Sequence, residues 1–162
     1  MLLRYSLLLF LALAGCGYHL AGETPIVLPG EVQSLAIRNV TNPTTETWIV
    51  PRLRSELRNE ITRRSDVVWK EVRLSEAILD VDILRYTTSS SLKGEDEQTL
   101  KSDAIISIEG RLLRNEDKSL IWSSGPITAS ESFAAGGGER EAGEDALEKA
   151  VRRLADRLDQ NF

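Results

Sequence analysis

Between Ser102 and Leu113 the chain alternates. Ala104, Ile106, Ile108 and Leu112 fall on one side, and Ser107, Glu109 and Arg111 on the other. A period of two is a strand with one buried and one open face. Such a strand is stable only if something apolar covers the buried face. Three further segments repeat the pattern. In residues 33–40, Leu35 and Ile37 oppose Ala36 and Arg38; in residues 76–90, Leu79, Val81 and Ile83 oppose Asp80, Asp82 and Leu84. A fourth strand begins at Leu120-Ile121-Trp122 and runs past Gly125-Pro126 to Phe133, with a bulge or an edge position expected at the Gly-Pro. The cover comes from two segments of helical period. Residues 47–64 carry Val50, Leu53, Leu57 and Ile61 on one stripe, with Pro51 confined to the first turn. Residues 144–160 carry Leu147, Val151, Leu154 and Leu158, widened by Ala146, Ala150 and Ala155. Val67-Val68-Trp69 fits either a short edge strand or an apolar plug.

These elements predict an α+β fold in the order β-α-β-β-β-α: a four-stranded mixed sheet with two helices packed on one face. A helical crossover makes strands one and two parallel; short turns make strands two, three and four antiparallel neighbours. The loops 41–47, 91–97 and 134–143 then gather at one end, about 45 Å from the other for a strand of about 14 residues. The open face carries Asp, Ser, Glu and Arg, and is either wet or covered by a partner. Asp80 and Asp82 read as carboxylates on that face, not as a metal site, because no third oxygen ligand lies nearby. The run Ala134–Gly138 lacks the Lys-Ser/Thr of a phosphate loop and reads as a linker.

The N-terminus has the parts of a secretory signal: Arg4, an apolar run from Tyr5 to Leu13, and small residues Ala14-Gly15. The apolar run is short of the ~20 residues that span a bilayer. It ends at Cys16, the only cysteine of the chain, which excludes an intramolecular disulfide. The expected organisation is a signal peptide at 1–15, a tether at 16–32 rich in Gly and Pro, and one domain at 33–162. The formal charge of −5 becomes one unit more negative once Arg4 is removed, which argues against nucleic acid as a partner. The single histidine, His19, lies in the tether and reads as solvated or structural. The only cysteine and the only histidine both lie in this N-terminal stretch, so no nucleophile–base set is evident and no catalytic residue, metal or cofactor is expected. A two-carboxylate envelope hydrolase and a lipid-anchored scaffold with another partner are the alternative readings.

The stretch Leu13-Ala14-Gly15-Cys16 resembles a bacterial lipobox, which implies acylation at Cys16 and makes 16–32 a lipidated tether. The opening Gly15-Cys16-Gly17-Tyr18-His19-Leu20, the strand start Leu120-Ile121-Trp122 and the element order together resemble LptE, the lipopolysaccharide-assembly lipoprotein family. That resemblance implies a lipoprotein anchored to the outer membrane from the periplasmic side. It also implies a plug inside the LptD β-barrel that helps the barrel assemble and helps insert lipopolysaccharide into the outer leaflet. Basic residues at the second hairpin tip and in the loop before the last helix are the family's lipopolysaccharide contacts; Lys93 and Arg140 occupy the corresponding positions. The tip departs from that pattern in being acidic at Glu95, Asp96 and Glu97, and the loop in its triple glycine.

Overall fold

The computed structural model describes residues 27–93, 99–134 and 136–159. The expected signal peptide, Cys16 and His19 lie outside these residues, as do residues 94–98. The elements are β1 (Ser34–Thr41), α1 (Ile49–Arg64), β2 (Val68–Trp69), β3 (Ala77–Lys93), β4 (Thr99–Arg114), β5 (Leu120–Ser123), β6 (Ile127–Ala134) and α2 (Glu139–Asp159). The sheet runs β2-β1-β3-β4-β5, and β6 pairs with β4 as well. The pairs β1–β2 and β1–β3 are parallel; β3–β4, β4–β5 and β4–β6 are antiparallel. Both helices lie on one face, α1 against β1 and α2 against β4 and β6.

The expected fold class holds, with two differences. Val68–Trp69 forms an edge strand, which resolves the choice left open by sequence and adds a fifth position to the sheet. The expected fourth strand is split. Arg111 opposes Ser123 and Ile108 opposes Ile127, so one extra residue is accommodated around Ser124–Pro126. That is the expected bulge. Gly125 takes φ +60°, where a side chain is strained, and Arg157 of α2 donates to the carbonyls of Ser124 and Pro126.

The core joins Leu35, Ile37, Leu79, Val81, Ile83, Ile106, Ile108 and Leu112 of the sheet to the helix stripes. In α1 the buried stripe is Ile49, Leu53, Leu57 and Ile61, with Val50 only half-buried; Pro51 lies in the first turn as expected. In α2 the buried set includes Leu147, Val151, Leu154 and Leu158 with Ala146, Ala150 and Ala155. Leu154 reaches the sheet where Gly110 leaves a hole: a Cβ at Gly110 would stand 2.8 Å from Leu154 Cδ1.

Two bulges change which residues face the core. Ile37 opposes Leu79 but Asn39 opposes Asp80, so Arg38 is the extra residue and Val40 turns inward. Ile83 opposes Ile108 but Arg85 opposes Ser107, so Leu84 is extra and Tyr86 turns inward. An extra residue reverses the side-chain parity of everything beyond it.

The edge beyond β2 is closed by a side chain. Val68 N–H and Lys70 N–H donate to Gln33 O and Leu35 O. The next carbonyls along β1, of Ile37 and Arg38, receive Arg54 Nη1 and Nη2 of α1 at 3.2 and 3.4 Å. Arginine here takes the place of a longer edge strand.

The loops gather at one end but are staggered, not level. β1 ends at Thr41, opposite Asp82, whereas β3 runs on to Lys93. The 17 residues of β3 span about 55 Å. Past Tyr86 the β3–β4 ladder, flanked by the end of β6, projects as an arm on which Thr88 to Leu92 are all exposed.

Candidate functional site

The open face of the sheet carries a set of matched polar side chains. Arg38 forks onto Asp80, with Nε to Oδ1 at 3.1 Å and Nη2 on Oδ2. Arg111 Nη2 meets Asp82 Oδ2 at 2.5 Å. Ser123 Oγ donates to Glu109 Oε1 at 3.2 Å, Thr128 Oγ1 to Ser107 Oγ at 3.2 Å, and Ser132 Oγ to Asp103 Oδ1 at 2.6 Å. The hydrogen bond from Arg38 to Asp80 is the main cause that raises the Arg38 pKa; desolvation works against it. Both carboxylates of the Asp80-x-Asp82 pair are therefore spoken for by arginine. Among the described residues no group of three or more His, Cys, Asp or Glu could hold a metal ion.

Arg140 is not in a loop. α2 starts at Glu139, a turn and more before the acidic cluster at Glu144, so Arg140 belongs to the first helical turn. Its guanidinium lies 4.4 Å from the centroid of the Trp48 ring, and its Nε donates to Glu144 Oε1 at 2.7 Å. Trp48 meets Tyr86 edge-on, with ring centroids 5.7 Å apart and planes at 90°. Trp48 Nε1 donates to Glu46 Oε2 at 2.8 Å. Glu46, Trp48, Tyr86, Glu139 and Arg140 line a shallow depression of about 280 Å³ at the base of the arm. The Tyr86 phenol is pushed above its ordinary range, first by burial, then by the charges of Glu139 and Glu46, with Arg140 opposing. Carboxylates thus outnumber the one cation of this cluster. An anionic ligand reaching Arg140 must draw it from Glu144.

The cluster closes because position 143 is glycine. A Cβ there would stand 2.6 Å from the Tyr86 hydroxyl and 3.2 Å from the Trp48 ring. Alanine normally gains about 1 kcal/mol over glycine inside a helix. Gly143→Ala is expected to forfeit that gain or to lose stability, because the ring tips must move. Urea unfolding checks this; a stabilisation near the full helix value would show that the contact is slack.

Lys93 is the last residue of β3, in register with Thr99. Tyr86 is seven residues back, so Lys93 stands roughly 20 Å further out than the Arg140 cluster. The two basic residues singled out by sequence share an end of the molecule but do not form one site.

At the opposite end, Val27, Leu28, Val32, Val67 and Val68, together with Glu31, Gln33 and Asp66, line a groove of about 560 Å³. No helix among the described residues is long and apolar enough to cross a membrane.

Residues 32–158 match the family LptE, "Lipopolysaccharide-assembly". The chain belongs to the LptE family. No functionally curated protein matches it. Among solved structures, uncharacterized lipoprotein B from Nitrosomonas europaea aligns at a TM-score of 0.56 and 17% identity, over 80% of this chain and 81% of that one. The hypothetical protein CT253 from Chlamydia trachomatis aligns at 0.55 and 12%, over 79% and 98%. At such identities the likeness is one of fold. The LptE match covers the whole helix-backed sheet, both bulges and the Trp48–Tyr86–Arg140 cluster. It makes this chain a member of a lipopolysaccharide-assembly lipoprotein family.

Proposed function

We propose that the protein is an outer-membrane lipoprotein, acylated at Cys16 and not an enzyme, that plugs the LptD β-barrel, helps it assemble and assists lipopolysaccharide insertion into the outer leaflet. The observation that carries this reading is the open sheet face. It is broad, has no helical cover among the described residues, and carries cross-strand polar pairs such as Arg38–Asp80, Arg111–Asp82 and Thr128–Ser107. Barrel interiors are polar and wet, so a plug with such a face fits one without burying unpaired groups. The long arm suits the same role, since a plug must extend along the barrel axis. Lys118, in the β4–β5 turn, and Lys93 lie at opposite ends of the molecule. Photo-crosslinkers at each position are expected to capture the same large outer-membrane barrel in intact cells. If neither yields such an adduct while the protein is abundant and acylated, the plug reading is wrong.

Within that reading, Lys93 is the outermost of the two proposed lipopolysaccharide contacts and Arg140 the inner one. Charge-assisted contacts to phosphate set the scale, so Lys93→Glu with Arg140→Glu is expected to weaken lipopolysaccharide binding about tenfold or more. Binding of purified protein to labelled lipopolysaccharide reads it. Unchanged binding removes both residues from the ligand site and leaves the barrel partner intact.

A further inference from the structure

Large apolar side chains left in water are unevenly placed. Of the six among the described residues, four sit at the end of the sheet where the chain enters from its N-terminal tether. Val27 is 60% exposed, Val68 56%, Leu74 67% and Leu120 58%. Val68 pairs with Ser34 at the start of β1, Leu120 opposes Leu113 near the end of β4, and Leu74 lies in the turn between β2 and β3. Much of the rest of the open face is polar and paired, so this rim stands out against it. An apolar row leads across the sheet to it: Ala36 opposes Ile78, Ile78 opposes Leu113, and Leu113 opposes Leu120.

We infer that this rim is a docking surface for a lipid bilayer, and that the free, anchored protein stands on the membrane with the arm pointing away from it. The inference rests on acylation of Cys16, part of the function proposed above. Residues 16–26 separate that cysteine from Val27, and a chain of that length spans at most about 38 Å even when fully extended. The rim is thus the part of the domain held next to the bilayer, at a high effective concentration of lipid. Charge does not explain the contact. Arg73 lies 3.6 Å from Glu71, and Lys118 shares its turn with Glu116 and Asp117. Attraction to anionic lipid is therefore not required, and docking is an apolar event on a zwitterionic surface.

The test uses the full acylated protein in phosphatidylcholine vesicles. Cys16 is the only native cysteine, so an introduced one is the only free thiol once the anchor is made. Nitroxides are placed through Val68→Cys, through Leu74→Cys and, as the distal control, through Leu92→Cys. Collisions with oxygen, which concentrates in lipid, are compared with collisions with a water-soluble nickel chelate. At 68 and 74 oxygen is expected to dominate severalfold over the ratio at 92, and raising the salt concentration leaves this unchanged. If 68 and 74 are as open to nickel as 92 while the vesicles carry the protein, the lipid is not the occupant and the proposal falls. Loss of the effect in salt overturns its apolar basis. Mass spectrometry of the same sample separates these outcomes from failure of the anchor: a Cys16 without acyl chains sinks the anchor reading, and this inference with it.

Discussion

Leu154→Ala is expected to cost about 2–5 kcal/mol of unfolding free energy, the range for removing a fully buried leucine. Leu154 is completely buried in the stripe by which α2 meets the sheet. Its Cδ1 fills the space above Gly110, with the Trp122 ring also within van der Waals reach of that position. Collapse around the lost atoms is limited, because the floor of the site is strand backbone. The same geometry predicts that Gly110→Ala alone destabilises by about 1–3 kcal/mol, since its Cβ has no room. In the double variant the new methyl occupies part of the cavity left by Leu154. The two losses are therefore expected to be less than additive, and urea unfolding of the four proteins measures the coupling. Strict additivity would mean that α2 does not seat Leu154 over Gly110. A loss within about 0.5 kcal/mol for Leu154→Ala, the range of an ordinary surface substitution, would mean that the helix is not docked at all.

The second large effect is one of location. Cys16→Ala is expected to leave a folded domain and abolish its membrane association, or to trap the uncleaved precursor. Each buried methylene of an acyl chain contributes about 0.8 kcal/mol, and stable anchoring takes more than one chain. Apolar contacts of a few exposed side chains cannot substitute for that once the protein is free to diffuse away. Metabolic labelling with a fatty acid, followed by membrane flotation, gives the result. Label that persists in the Cys16→Ala protein would rule out the assignment of the lipidated residue.

The sheet, the helices and their single shared face were legible because alternation and helical period are both written in apolar residues that ended up buried: Leu79, Val81, Ile83, Leu53, Leu57, Leu154. Three features were not. The start of α2 was hidden by Gly136-Gly137-Gly138 and again by Gly143, which in sequence look like more loop. Gly143 is instead a helix residue kept small by the Tyr86 hydroxyl and the Trp48 ring, a requirement that exists only in three dimensions. That is why Arg140 was expected in a loop and is found stacked on Trp48 in a helix. The bulges at Arg38 and Leu84 left a faint signal: Val40 and Tyr86 are apolar or aromatic residues on the wrong parity of their strands. An off-parity side chain at the end of a clean alternation marks a place to look for an extra residue. The edge role of Val68–Trp69 depends on β1 offering a partner and could not be chosen from two residues.

The stagger between β1 and β3 divides one hairpin into two regimes of motion. From Ala77 to Ile83 the β3 amides sit over packed leucine and isoleucine, and breaking their hydrogen bonds requires the helical layer to leave. From Thr88 to Leu92 the same ladder has water around its side chains, so its bonds can open without disturbing the core. Deuterium uptake along β3 therefore becomes a gauge of what surrounds each part of the ladder: slow, global-unfolding exchange near Ala77, and rapid local exchange toward Leu92. Anything that grips the arm will announce itself as protection spreading outward along the strand from Tyr86, while the exchange of residues 77–83, already limited by the whole domain, hardly changes.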